Sequence, residues 1–203
     1  MSTYSPVAGD PGPLRSFDPV QVGHLECATW AAYYQRQWGR VLLATLRLVH
    51  RAFGLDWART LHAAWLVLRA QQRWAPYPRN DPDGARRCMT RFYALVRLAY
   101  GRPADPARAA AREVDWWAAH RVSQRVPGSP SPTALISALT RLYAYLYGAR
   151  ETDVTLAAEQ RATAMLWFRE WVARGCLPDD PAVMEARKAL VRSYAALLAE
   201  VHR

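Results

Sequence analysis

The stretch "DPDGARRCMTRFYALVRLAYGRPADPARAAAREVDWWAAHR" (residues 81–121) holds the pattern that decides the fold. The pairs Asp81-Pro82 and Asp105-Pro106 each place a capping carboxylate before a proline. A proline fits the first helical turn because its missing N–H would have no partner there. Apolar residues of helical period follow each pair, and a glycine ends the first run. The stretch therefore predicts two successive helices joined by a short loop.

The same start and stop signals recur along the whole chain. Further starts are predicted at Asp18-Pro19, Asp56, Ser131-Pro132, near Thr152 and at Asp180-Pro181, and stops at Gly54, Gly101, Gly148 and Gly175. The predicted helices cover about 19–38 (continuing, or kinking near Gly39, to 53), 57–74, 82–100, 106–125, 132–147, 152–174 and 181–202. No alternation of apolar and polar residues is long enough for a strand. The sequence thus predicts an all-α fold, a compact bundle of about seven helices.

The composition predicts one domain with a short tail. The chain has 203 residues, of which 51% are hydrophobic, which is enough for one core and argues against disorder. Residues 1–17 are rich in Pro, Gly and Ser and predict a flexible N-terminal tail, which leaves 18–203 as a single helical domain. We find no signal peptide and no run long enough for a membrane span, so we expect a cytoplasmic protein without a membrane partner.

The charge of +10 comes almost entirely from arginine, since Lys188 is the one lysine among 27 basic residues. The arginines are dispersed and form no block, which argues against nucleic acid as a partner. They leave room for an anionic small-molecule ligand. The three cysteines lie far apart, so no zinc motif is predicted. The composition leaves a homo-oligomer open.

The segment "REVDWWAAHR" (112–121) concentrates polar groups on an aromatic face. Glu113 and His120 are seven residues apart and share one helix face, with Trp116 and Trp117 between them. A glutamate on such a face is expected to be buried and to need a partner. Glu113 and His120 are therefore the candidate catalytic pair.

Two other predicted helices repeat this pattern. Glu26 shares a face with Trp30 and Tyr33, and Glu159 lies among the apolar residues of "LAAEQRATAMLWFREW" (156–171). The predicted metal ligands are Glu26, Glu113, His120 and Glu159. Carboxylate and imidazole ligands from several helices suit iron or manganese. The first functional hypothesis is therefore a non-haem iron oxidoreductase that uses dioxygen on a small molecule inside the bundle.

In architecture and residue type this arrangement resembles haem-oxygenase-like diiron proteins, and more distantly ferritin-like ones. The ferritin-like spacing of Glu and His at i and i+3 is absent. Nucleotide-binding glycine motifs, the serine-hydrolase elbow and the H-E-x-x-H motif are absent as well.

Two alternatives stand beside the metal hypothesis. Each glutamate could instead form an ion pair with an arginine, for which Arg36, Arg121 and Arg161 are candidates. The protein would then be a metal-free helical pocket protein that binds or transforms an acidic or aromatic small molecule. The predicted pocket residues are Trp30, Tyr33, Tyr34, Trp117 and Arg161. The second alternative is a regulatory or interaction protein that uses its basic surface.

The stretches "LECATWAAYYQRQW", "WAPYPRNDPDGARR" and "REVDWWAAHR" resemble an uncharacterised family of small all-helical bacterial proteins, from about residue 18 to the C-terminus. This resemblance implies the helical fold and no activity, cofactor or partner.

Overall fold

The computed structural model describes residues 16–125 and 132–202, and within these ranges it contains eight α-helices and no strand. They are α1 (Pro19–Tyr34), α2 (Trp38–Phe53), α3 (Trp57–Trp74), α4 (Pro82–Tyr100), α5 (Pro106–Arg125), α6 (Thr133–Tyr147), α7 (Glu151–Ala173) and α8 (Pro181–Val201). The all-α prediction is confirmed, and the predicted number of about seven is one too low.

The additional helix arises from a break in the first predicted segment. Arg36 adopts a left-handed backbone conformation with φ of 57°, and the backbone N–H of Gln37 bonds to the carbonyl of Ala32. The break precedes Gly39, the residue at which the sequence suggested a kink. Non-glycine residues rarely adopt this conformation, so residue type carried no signal for the break.

The predicted aspartate caps are confirmed. The carboxylate of each accepts a hydrogen bond from a backbone N–H of the following turn, at Asp18, Asp56, Asp81, Asp105 and Asp180. The predicted cap Ser131 lies outside the described residues. Helix α7 begins at Glu151, next to the predicted start near Thr152. No side chain caps its first backbone N–H groups.

The helices pack as a closed ring in chain order. Each of α1 to α7 packs against the next helix, and α8 packs back against α1. The α1–α8 contact is close at Gly23, where a Cβ atom would lie 2.9 Å from Val191. A side chain at position 23 would therefore push the two helices apart at the point where the ring closes.

Phe17 belongs to the core although the sequence assigned it to the tail. It is buried and its ring packs edge-on against Tyr194, at 5.7 Å between centroids. Residues 1–15 of the predicted tail lie outside the described residues. None of the described helices is long and apolar enough to cross a membrane.

Candidate functional site

A chamber lies at the centre of the ring. Its volume is about 150 Å³, and each helix from α1 to α8 contributes to its lining. The walls are largely aromatic and aliphatic, and the polar side chains among the lining residues are Glu26, Thr29, Thr45, Gln71, Glu113 and Arg161, with the tyrosines Tyr93, Tyr143, Tyr147 and Tyr194. The chamber is therefore an apolar space with a few polar groups directed at it, as ligand pockets are.

Glu26 and Arg161 form a buried ion pair in this chamber. Glu26 is 3% exposed, and its Oε1 accepts from Nη2 of Arg161 and from Nε1 of Trp30, at 3.2 Å for the indole. Its Oε2 accepts from the Tyr194 hydroxyl at 2.6 Å. Arg161 also donates to the Tyr143 hydroxyl at 3.2 Å. The pairing of a buried glutamate with Arg161, which the sequence left as an alternative, is confirmed for Glu26.

Arg161 keeps its charge in this environment. Burial by itself lowers the pKa of the guanidinium, but Glu26, Tyr143, Tyr194 and Glu113 together outweigh it, so the pKa lies well above its ordinary value. The Arg161 guanidinium also lies over the ring of Trp116, at 4.7 Å from the centroid. The cation is therefore held by a carboxylate on one side and by aromatic rings on the other.

Glu113 has neutral donors in place of a cation. Its Oε2 accepts from the Tyr93 hydroxyl at 2.8 Å and its Oε1 accepts from Nε1 of Trp116 at 3.0 Å. Burial raises the pKa of the Glu113 carboxyl, against the opposing effect of Arg161 and of the two donors. Glu113 thus retains its proton to higher pH than an ordinary glutamate does.

We expect Glu113→Gln to change how stability depends on pH. The raised pKa means that folded protein holds a proton that unfolded protein releases, so this group lowers the free energy of unfolding as pH rises above about 4.5. The variant should therefore gain stability relative to the wild type as pH rises from 4.5, as measured by urea unfolding. Glu185→Gln, on the surface of α8 beside Lys188, is the control and should show no such gain. Parallel pH profiles for wild type and Glu113→Gln would contradict the assignment.

A larger cleft, which we call the mouth, opens at one end of the ring. Its volume is about 490 Å³. It is lined from the C-terminal parts of α1, α3, α5 and α7 and the segments that follow them, by Trp30, Tyr33, Tyr34, Arg36, Trp74, Ala75, Tyr77, Trp117, His120, Arg121, Gln124, Arg169, Val172 and Ala173. No acidic side chain occurs among these described lining residues. The mouth therefore combines aromatic walls with an excess of positive charge.

The charged group best placed in the mouth is Arg121. Its guanidinium carbon lies 4.1 Å from the ring centroid of Trp74 and 5.6 Å from that of Tyr77, and Nη2 donates to the Trp74 carbonyl at 2.7 Å. Stacking and this hydrogen bond hold the guanidinium plane in place. Trp30 and Trp117 line both the mouth and the chamber, so their indoles form the wall between the two.

His120 belongs to the mouth and is uncharged. Its Nε2 lies 2.8 Å from the Tyr34 hydroxyl, which also accepts from Nε2 of Gln124 at 2.8 Å. The amide nitrogen of Gln124 donates to this hydroxyl, which leaves the Tyr34 proton available for a bond to Nε2 of His120. Burial, with Arg121 and Arg169 nearby, lowers the pKa of His120 to about 3. At neutral pH His120 is therefore a neutral hydrogen-bonding group.

The structure does not assemble the four predicted metal ligands. Glu159 is exposed on the outer side of α7, so its predicted inward position is wrong. The neighbouring Leu156 is 58% exposed, and this apolar residue on the outer face made that face look buried. Glu26 and Glu113 line the chamber, whereas His120 lines the mouth. Within residues 16–125 and 132–202 no three His, Cys, Asp or Glu side chains are grouped so that they could hold a metal.

The predicted catalytic pair is likewise divided between the two spaces. Glu113 and His120 do share one face of α5, and Trp116 and Trp117 lie between them. The two indoles are buried and fill the space between the carboxylate and the imidazole. We infer that one ligand in either space would meet one of the two groups, and not both.

The predicted pocket residues are also divided. Trp30, Tyr33, Tyr34 and Trp117 line the mouth as a group, and Arg161 lies in the chamber. The sequence missed the aromatic side of the mouth formed by Trp74 and Tyr77, and also Arg169 of α7. The Pro-rich aromatic loop "WAPYPRN" (74–80) was the available signal for the first two.

Comparison of the chain with models of protein families, with curated proteins and with solved structures gives no match.

Proposed function

We propose that this protein binds an anionic aromatic small molecule in the mouth of its helical ring. The observation that carries the proposal is the joining of Arg36, Arg121 and Arg169 with six aromatic side chains in one cleft, without an acidic residue among its described lining. The cleft volume of about 490 Å³ lies in the range of small-molecule sites. This function is the metal-free alternative that the sequence left open.

The arrangement around Arg121 indicates how such a ligand would be recognised. Stacking on Trp74 holds the guanidinium of Arg121 in a fixed plane at the wall of the mouth, and a planar cation suits a carboxylate or a phosphate. The indoles and phenols of the mouth offer faces for an aromatic ring. Since His120 is neutral, the positive charge of the mouth resides on the arginines.

Two of these arginines also satisfy helix ends. Arg121 donates to the carbonyl of Trp74 in α3, and Arg169 donates to that of Ser123 in α5, at 3.4 Å. These bonds orient the two guanidinium groups at the mouth. A purely structural role would predict loss of stability without loss of ligand binding when Arg121 is changed.

We expect 1-naphthoate to bind in the mouth and Arg121→Gln to weaken it at least tenfold, which is about 1.4 kcal/mol. The reason is the loss of one charge-assisted contact to the carboxylate. The neutral analogue 1-naphthamide should bind weakly and equally to both proteins. Titration calorimetry measures the affinities, and thermal unfolding monitors the fold.

Arg47→Gln is the matched control, because it removes one positive charge from the exposed surface of α2, away from the mouth. It should leave naphthoate binding within twofold of the wild type. Equal affinities for the wild type and Arg121→Gln, or equal affinities for naphthoate and naphthamide, would contradict the proposal.

The metal-dependent oxidation stays a prediction, as does the likeness to haem-oxygenase-like and ferritin-like proteins. The metal-dependent function is tested directly by measuring the metal content of protein purified without chelator. A stoichiometric metal that is lost in Glu113→Gln would favour it over the binding function.

A further inference from the structure

We propose that the central chamber is a second ligand site, which takes a small neutral heteroaromatic molecule that carries both a hydrogen-bond donor and an acceptor. This inference goes beyond the proposed function, because the mouth takes an anion and the chamber is a separate space behind Trp30 and Trp117.

The first evidence is a set of buried polar atoms that have no hydrogen-bond partner. Oγ1 of Thr45, Oε1 of Gln71 and Nε of Arg161 are all in this state, and all three residues line the chamber. Thr45 is 1% exposed and Gln71 is 8% exposed. Buried polar groups are nearly always satisfied, because an unmade hydrogen bond costs the full desolvation of the group. Unpartnered donor and acceptor atoms on residues that line one cavity therefore indicate a molecule that satisfies both.

The second evidence is the charge of the chamber. The carboxylate of Glu26 compensates the cation of Arg161 in direct contact. Both oxygens of Glu113 accept bonds, from Tyr93 and Trp116. An added cation would meet Arg161, and an added anion would meet the Glu26 carboxylate. A neutral molecule avoids both repulsions.

The third evidence is size and wall chemistry. A volume of about 150 Å³ equals that of an engineered protein cavity that holds benzene. The walls include aromatic rings from several helices, namely Trp30, Phe53, Phe92, Trp116 and Trp117. Offset and edge-on contacts with such rings favour a flat aromatic molecule. Together with the unpartnered atoms, these walls specify a single ring with polar atoms in it.

The test compares three probes of similar size by titration calorimetry on the full chain. 2-Pyridone is neutral and carries a donor and an acceptor, benzene has neither, and N-methylpyridinium is a cation. We expect 2-pyridone to bind at least tenfold more tightly than either of the others. Equal binding of benzene would mean an apolar void, the tightest binding by N-methylpyridinium would mean a cation site, and no binding at all would mean a chamber that holds water only. Each of these three results would overturn the proposal.

Two variants assign the binding to the chamber. Thr45→Val keeps the shape of the side chain and removes its hydroxyl, and it should weaken 2-pyridone at least fivefold. Because this hydroxyl has no partner in the protein, the variant breaks no hydrogen bond of the fold and should remain folded. Unchanged 2-pyridone affinity in Thr45→Val would overturn the proposal. Arg121→Gln should leave 2-pyridone affinity unchanged, and 1-naphthoate should bind Thr45→Val normally. Failure of the chamber site and failure of the mouth site are thereby distinguished.

Discussion

Arg161→Met is expected to lower the free energy of unfolding by about 3–5 kcal/mol, the range for removal of one partner from a buried ion pair. Methionine retains much of the apolar stem, so the effect comes mainly from the charge. The variant leaves the Glu26 carboxylate with Trp30 and Tyr194 as neutral donors, at 3% exposure and without a cation. Urea unfolding at pH 7 measures the loss.

The double variant Glu26→Gln/Arg161→Met shows whether the charge is the cause. Without the carboxylate there is no uncompensated ion, so the double variant should be more stable than Arg161→Met alone. Arg59→Met is the control, because its ion pair with Asp56 is about half exposed and should be worth less than about 1 kcal/mol. A double variant less stable than Arg161→Met would contradict the role assigned to the ion pair.

His120→Gln is expected to protect the protein against acid. The pKa of His120 is lowered to about 3 in the folded protein, from an ordinary value of 6.5. Unfolded protein therefore binds a proton that folded protein does not, and stability falls as pH drops from 6.5 towards 3. At pH 4 the wild type should have lost roughly 3 kcal/mol of its free energy of unfolding through this group. The variant, which lacks the imidazole, should not show this loss. Glutamine can still bond to the Tyr34 hydroxyl, so the network at the mouth is partly kept.

The measurement is the free energy of unfolding of both proteins at pH 7 and pH 4. Between pH 7 and pH 4, the free energy of unfolding of the variant should rise relative to that of the wild type by roughly 3 kcal/mol. His62→Gln is the matched control, since His62 is exposed on α3, and its profile should follow that of the wild type. Equal acid sensitivity in His120→Gln and the wild type would show that His120 is not buried in the neutral form.

The effects of His120 and Glu113 on stability have opposite signs. His120 destabilises the fold as pH falls below 6.5, whereas Glu113 destabilises it as pH rises above 4.5. In the double variant Glu113→Gln/His120→Gln, the free energy of unfolding should therefore change less with pH than in either single variant. The two residues lie on one helix, and the largest cause of both shifts is burial, which opposes the positive charge on histidine and the negative charge on glutamate.

Local chemistry determined the helices of this protein. An aspartate before proline acts within one turn, and so the starts of α1, α4, α5 and α8 could be predicted from a few residues. The break at Arg36 could not, because a left-handed arginine has no local residue preference behind it. The left-handed residue separates α1 from α2, and the two helices then pack against each other.

The site, in contrast to the helices, depends on contacts between residues far apart in the chain. The sequence by itself identified Glu26, Glu113 and His120 as polar groups on aromatic faces, and the structure buries Glu26 and His120 and places Glu113 at the chamber. Their partners came from residues far away in the chain: Arg161 is 135 positions from Glu26, and Tyr34 is 86 from His120. Helical periodicity states which residues share a face, and it carries no information on which helix that face will meet. Only the tertiary structure brought Trp30 of α1 against Trp116 of α5, so that Trp30 and Trp117 form the wall that divides these groups between the chamber and the mouth.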